Sequence, residues 1–283
     1  MVKYKSIKTL NKLKNFICEG GRRTKRSQKN YKNYKPFFSI ITVVKNSSKK
    51  IEKTLQSVIN QPFKNIEHIV IDGNSTDNTL VKIKKFEKTI EYWCSIKDKG
   101  IYDAMNYGIR LCRGNIIVIL NAGDVFTLNA FEIIRNYFKK NKKLSFLFGT
   151  VKRHYLNNNL IIKSGFDRKR INYNFDSQTC HSSGFFIKSN IQKKIGLYEL
   201  KYKCSSDYDL FYKLLKNKDF KGDSTKKNEV IGIVESGGFS SKFGFWNHLI
   251  EETKIRIDNN QNKILISIIF FNAILKHYFK KIF

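Results

Sequence analysis

From Phe37 onward, unbroken apolar runs rich in β-branched residues alternate with stretches of helical period. "FFSIITVV" reads as a buried strand, and "SSKKIEKTLQSVINQ" follows with Ile51, Leu55, Val58 and Ile59 at helical spacing. The alternation repeats through "EHIVID", "STDNTLVKIKKFEK", "IEYWCSI", "IYDAMNYGIRLC", "NIIVIL", "TLNAFEIIRNYFKK" and "LSFLFGTV". Strands that are apolar throughout, with no polar alternation, need cover on both faces. Strand–helix alternation of this kind folds into an α/β architecture, a parallel sheet flanked by helices. Ser47 or Ser48 is expected to cap the first helix and Ser75 or Thr76 the second.

After residue 150 the pattern thins. "TVKRHYL" and "NLIIKSG" suggest a hairpin about Asn157–Asn159, and "HSSGFFIK" a further strand. "SDYDLFYKLLKN" reads as a helix beginning near Ser206, and "VIGIVESGGFS" as a late strand with a glycine turn. Residues 1–35, with twelve Lys or Arg and one Glu, read as a basic leader that stops at Pro36. The expected body runs from 36 to 245, with halves 36–126 and 127–245. Residues 246–283 form a C-terminal helical segment whose apolar part, 264–279, is shorter than the ~20 residues a bilayer span needs.

The chain carries 54 Lys and Arg against 23 acids, a net charge of +31. That balance raises a nucleic-acid reading. The lysines are spread along the whole chain and far outnumber arginine, so no nucleic-acid partner is expected. An anionic membrane surface needs only a diffuse positive field and fits better. Five scattered cysteines show no zinc spacing, and the N-terminus has no apolar signal core. The expected location is therefore cytoplasmic, and the basic leader with the apolar, lysine-ended C-terminus would hold the chain on the inner face of an anionic membrane.

Ligands of an open parallel sheet bind beyond the carboxyl ends of its strands. Four such ends in a row are polar: Lys45-Asn46, "DGNSTD" (72–77), "KDKG" (97–100) and "NAGD" (121–124). Each also has a purely structural reading. Asp72-Gly73-Asn74 is a turn sequence, Asp124 suits a cap for a helix near Thr127, and Asp103 suits a helix N-terminus. Asn106 has the least structural reason, since Asn is a poor mid-helix residue. There is no GxGxxG after the first strand, no GxxxxGK[ST] and no GxSxG, which weighs against dinucleotide, P-loop and serine-hydrolase chemistry.

"FFSIITVVKNSSKKIEKTLQSVINQPFKNIEHIVIDGNSTDNTL" and "SIKDKGIYDAMNYGIRLCRGNIIVILNAGD" closely resemble the opening of family-2 glycosyltransferases with the GT-A fold. "CHSSGFFIK", "CSSDYDLFYKLL" and "ESGGFS" resemble the later motifs of a branch associated with bacterial surface-polysaccharide synthesis. The resemblance covers roughly residues 37–240. It implies a Rossmann-like nucleotide-sugar half joined to an acceptor half. It also implies inverting transfer of a sugar from a nucleotide-diphosphate donor to a lipid-linked or growing glycan, in capsule, O-antigen or exopolysaccharide synthesis.

Carried onto this chain, the resemblance places Asp124 as ligand of a divalent metal, Mn²⁺ or Mg²⁺, with Asn121 a weaker helper. The family's Asp-Xaa-Asp has become Asn-Ala-Gly-Asp, which leaves a single carboxylate there. Thr42, Val44 and Asn46 would line the base pocket and Asp72 would meet base or ribose. Lys99, Asp103 and Asn106 would lie under nucleotide and sugar, Asp103 near ribose or donor sugar and Lys99 near a phosphate. Asp207, with Asp209 in reserve, would be the general base, and His181 would meet metal, phosphate or acceptor. One rival transfers the sugar to a polyprenyl phosphate. Another is a non-catalytic basic protein that binds nucleic acid or lipid.

Overall fold

The computed structural model describes residues 15–25, 35–154, 159–173 and 182–282. Within the expected leader, β1 (Phe16–Gly20) and a single helical turn, α1 (Arg22–Lys25), already belong to the body. The expected alternation then follows as β2 (Phe38–Val44), α2 (Ile51–Ile59), β3 (Ile66–Asp72), α3 (Thr79–Lys85), β4 (Tyr92–Ile96), α4 (Ile101–Leu111) and β5 (Ile116–Asn121). Next come β6 (Val125–Phe126), α5 (Ala130–Lys140), β7 (Leu144–Phe148), β8 (Thr150–His154) and β9 (Leu160–Lys163). The remainder is β10 (Phe185–Lys188), α6 (Ser189–Ile195), α7 (Ser206–Lys216), β11 (Lys221–Ser224), β12 (Val230–Val234), α8 (Phe245–Asp258) and α9 (Lys263–Ile282).

The main sheet has eight strands in the order β1-β4-β3-β2-β5-β10-β7-β11. Its centre, β4-β3-β2-β5, is parallel, with Ile41 facing Ile69 on one side and Ile119 on the other. β10 runs antiparallel between β5 and β7, and β1 closes the far edge antiparallel to β4. Every residue of β2 is buried, because successive side chains enter different cores. Ile41 and Val43 join a cluster with Met105, Tyr107 and Leu214. Phe38 and Ile40 join Phe131, Ile134 and Phe186 on the other side.

The run expected as one fifth strand, "LSFLFGTV", is two. Gly149 breaks it, and the chain leaves the main sheet for a smaller one ordered β6-β12-β8-β9. A Cβ at Gly149 would lie 2.4 Å from Ile231 Cγ1, so no larger residue fits where the two sheets meet. The expected hairpin is the β8–β9 pair, Val151 facing Lys163. The helix caps read from the sequence are not used. Neither Lys50 nor Asn78, the residues preceding α2 and α3, makes a side-chain cap, and the serines serve loops instead.

The basic N-terminal segment is anchored by charge. Arg23 Nη2 donates to Glu67 Oε2 at 2.6 Å, with the two side chains 1% and 0% exposed. Glu67 also accepts from Ser39 Oγ and from the backbone N–H groups of Arg113 and Gly114. A buried carboxylate with this many donors is satisfied, which burial otherwise forbids.

Candidate active site

The parallel strands β4, β3, β2 and β5 end side by side, so their polar ends share one edge. The loops after β2 and β3 are clipped to each other. Asn46 N donates to Ser75 Oγ (2.9 Å), Ser47 N to Thr79 Oγ1 (2.9 Å) and Ser48 N to Asp77 Oδ2 (3.1 Å). Thr76 N donates back to Asn46 Oδ1 at 2.8 Å. Asn46 and Asn74 take left-handed backbone, φ 47° and 57°, a conformation Asn tolerates better than most residues. The Thr79 hydroxyl, with the Ser48 and Thr79 N–H groups, holds the Asp77 carboxyl down at about 2, so it stays charged in its clip.

Several residues assigned to the nucleotide lie beneath this edge. Thr42 is fully buried and its Oγ1 pairs with His68 Nε2 at 2.8 Å. Burial pushes His68 down to about 3, so it is neutral. Val44 packs with Ile51, Leu55 and Trp93. Asp72 is fully buried; its carboxylate accepts from Ser75 Oγ, Ser75 N (3.1 Å) and Ser95 Oγ (2.7 Å) and shapes the turn. Asn106 is buried with both ends of its amide on the Tyr198 backbone, donating to the carbonyl and accepting from the N–H at 2.8 Å each. That pairing is the structural reason for a mid-helix Asn, and it ties α4 to the chain between α6 and α7.

The open edge carries Asp98, which the sequence reading passed over in favour of Lys99 and Asp103. A Cβ on Gly73 would meet Asp98 Oδ2 at 2.4 Å and Lys45 Cδ at 3.4 Å, so the missing side chain makes room for this acid. Burial raises the Asp98 carboxyl above its ordinary range, against the Gly100 N–H and Lys45, and the charges of Asp103 and Asp72 add to the rise. Asp103 accepts from Lys99 N at 3.0 Å and closes the first turn of α4, while Lys99 is exposed. The signal for Asp98 was its place as the first acid after β4, facing a glycine.

At the end of β5, Asp124 is buried. Its Oδ2 accepts from Ser183 Oγ (2.9 Å) and its Oδ1 from Glu235 N (3.1 Å), so it does not cap a helix. Asn121 Nδ2 donates to Ser182 Oγ at 2.8 Å, and Asn121 Oδ1 is buried with no hydrogen-bond partner among the described residues. Among the described residues no group of three or more His, Cys, Asp or Glu is placed to hold a metal. The Asp124 carboxylate and the Asn121 amide oxygen are hard oxygen donors, of the kind a divalent cation takes when phosphates and water complete its shell. His181 lies outside the described residues; Ser182 and Ser183, which follow it, are the ones that meet Asn121 and Asp124.

Asp207 stands in the first turn of α7. Its Oδ1 accepts from Tyr102 Oη at 3.2 Å and Tyr208 N at 2.9 Å. Tyr102, at the start of α4, shares its one hydroxyl proton between Asp207 Oδ1 and Cys204 O, the latter at 3.0 Å. Burial pushes its hydroxyl well above the tyrosine range, with the charge of Asp207 adding to the rise, so it remains a donor. Glu251 on α8 gathers the backbone before α7, accepting from Lys203 N (2.6 Å), Cys204 N (2.8 Å) and Ser205 N (3.0 Å). Burial works to raise the Glu251 carboxyl, but these donors outweigh it and hold it below the usual range. Asp209 points elsewhere, paired with Lys213 at 2.7 Å and accepting from Asn259.

The segment Glu235–Phe239 links the two acids. Its first residue donates to Asp124, and the ring of its last lies edge-on to Tyr102, centroids 6.4 Å apart. Four residue steps span at most about 14 Å. One short segment therefore touches both Asp124 and Tyr102, and Tyr102 in turn meets Asp207 at the start of α7.

Comparison with known proteins bears on the family and the fold. A 93-residue stretch is 39% identical to an uncharacterized glycosyltransferase of Mycobacterium tuberculosis, covering 32% of this chain and 36% of that one. Over 186 residues it is 27% identical to a PGL/p-HBAD biosynthesis glycosyltransferase of Mycobacterium bovis, 64% of this chain and 71% of the relative. The structure superposes on S. aureus TarS 1-349 in complex with UDP with a TM-score of 0.61 and 14% identity, over 85% of this chain and 71% of that chain. The fold is thus of the GT-A type, a large central sheet flanked by helices. The model of glycosyl transferase family 2 matches residues 39–196, more than half of the chain, and the protein belongs to that family of transferases.

Proposed function

We propose that this transferase moves a sugar, with inversion, from a nucleotide-diphosphate donor to a hydroxyl of a lipid-linked or growing glycan at the inner membrane surface. The observation that carries the reading is the Tyr102–Asp207 hydrogen bond, which holds a carboxylate of α7 against the start of α4. Asp207 takes the proton of the acceptor hydroxyl as its oxygen attacks the anomeric carbon. The bond from that carbon to the phosphate oxygen breaks, and the nucleotide diphosphate leaves with the electron pair. A divalent cation held by Asp124 and Asn121 Oδ1 would neutralise charge growing on that leaving group. Lys45 and Lys99, both exposed at the strand-end edge, add positive charge beside it. A UDP-bound fold neighbour and a relative named for PGL/p-HBAD biosynthesis support a nucleotide donor and a surface glycan or glycolipid product.

The test is release of free nucleotide from a panel of UDP-, GDP-, dTDP- and CMP-sugars, with and without bacterial membrane lipids. Release from one donor class, stimulated by the lipids, is expected. No release from any donor under either condition contradicts the proposal.

Tyr102 acts here as a positioning residue. Tyr102→Phe is expected to lower kcat by roughly tenfold with KM for the donor unchanged. The acid limb of its pH–rate profile moves to higher pH, since a carboxylate loses a donor that favours its charged form. A kcat loss with an unmoved limb would make Tyr102 a packing residue only.

A further inference from the structure

Helix α9 is two-faced in an unusual sense: its buried side is apolar, and so is much of its exposed side. Ile266 and Ile269 pack inward at 5% and 4% exposure. Ile264, Ile268, Phe271, Leu275, Tyr278 and Phe279 stand 53–73% exposed. At about 100° per residue these six fall on one stripe. Exposed Lys263 and Lys276 flank it on either side. Among the described residues no helix is long and apolar enough to cross a membrane.

We propose that this stripe of α9 docks flat on an anionic lipid surface. The apolar residues enter the headgroup boundary, and the flanking lysines with the chain's positive field meet the lipid charge. A second copy of the chain would suit the stripe's spacing, but each copy brings the same excess of 31 positive charges, so pairing opposes like fields. Aromatic rings at the end of the stripe also suit the interface between lipid and water. The inference rests on the proposed function only in placing the acceptor at a membrane. It adds a geometry. α9 packs on α8 through the Phe245–His277 stack, centroids 3.8 Å apart. α8 in turn holds the backbone before Asp207 through Glu251. Docking through this hairpin sets the acceptor side of the cleft near the lipid surface.

The experiment is flotation of the full chain with vesicles of phosphatidylcholine containing about 30 mol% phosphatidylglycerol, against phosphatidylcholine alone. Wild type and an Ile268→Glu/Phe271→Glu variant are compared, with Phe271→Ala/Leu275→Ala as a milder second variant. The anionic vesicles are expected to bind wild type at least roughly tenfold more tightly than neutral ones, and both variants to lose most of that binding. Their melting temperature and nucleotide binding stay at wild-type values. Equal binding to both vesicle types, or variants that bind as wild type does, overturns the proposal. So does a wild-type dimer in light scattering that becomes monomeric in the variants, which would make a second copy the occupant. Nucleotide binding without vesicle binding defeats this inference alone; absence of nucleotide binding defeats the proposed function.

Discussion

Asp207→Asn is expected to lower transfer to a hydroxyl acceptor by roughly 10²–10⁴-fold, the range a positioned general base supplies. The amide keeps the size of the side chain, and its oxygen can still accept from Tyr102 Oη and Tyr208 N, so the first turn of α7 persists. What disappears is the capacity to take a proton. KM for the donor and nucleotide-induced stabilisation should therefore stay within about twofold of wild type, since the loss falls on the transition state alone. Full turnover by the variant would point instead to an acceptor already ionised, such as a polyprenyl phosphate. Asp209→Asn serves as the comparison. Its carboxylate is engaged by Lys213 and Asn259, so a modest effect on stability and little on turnover is expected.

The second large effect lies far from the cleft. Arg23→Ala is expected to destabilise the protein by about 3–5 kcal/mol, because it strands the Glu67 carboxylate in a fully buried site. For a chain of this size that lowers the melting temperature by roughly 10 °C. The remaining donors to Glu67, from Ser39, Arg113 and Gly114, solvate the charge only in part. Lys25→Ala, two residues on, removes an ion pair to Glu87 whose partners are 69% and 34% exposed, and should change stability by less than about 1 kcal/mol. Equal melting temperatures for the two variants, read by thermal denaturation, would show that the N-terminal segment is an appendage after all.

That contrast marks where the sequence was legible. The central strands could be read because burial on both faces demands unbroken apolar runs, and such runs as Ile40–Val44 have few other uses. β1 could not. Phe16-Ile17-Cys18 is short and set among lysines, and the ion pair that anchors the turn after it joins residues 44 apart. "LSFLFGTV" was read as one strand because the clash that makes Gly149 a corner comes from Ile231, on a distant strand.

The site divides in the same way. Polar strand ends are local, and their alignment follows from parallel pairing, so the acids at 72, 103 and 124 were visible early. Which of them face the cleft depends on partners remote in sequence. Asp72 is turned inward by Ser95, and Asn106 is taken up by the Tyr198 backbone. Asp98 lies half-buried against Gly73, which leaves it room. Tyr102 lies inside a resembling stretch but was given no role, and Glu251 lies outside every motif. Their roles rest on contacts across 105 and 47 residues that only the folded chain creates.

The measurement that bears most directly on the central claim is nucleotide binding at the strand-end cleft. Thermal-shift titrations with UDP, GDP, dTDP and CMP, each with and without Mn²⁺, would be run on wild type and Asp124→Ala. One nucleotide should stabilise the wild type by roughly 2–3 kcal/mol at about a hundredfold excess over its dissociation constant. Mn²⁺ should strengthen that stabilisation in the wild type and add little in Asp124→Ala. If no nucleotide stabilises the wild type, or if Mn²⁺ acts equally on both proteins, the cleft between Asp98, Asp124 and Asp207 is not the donor site.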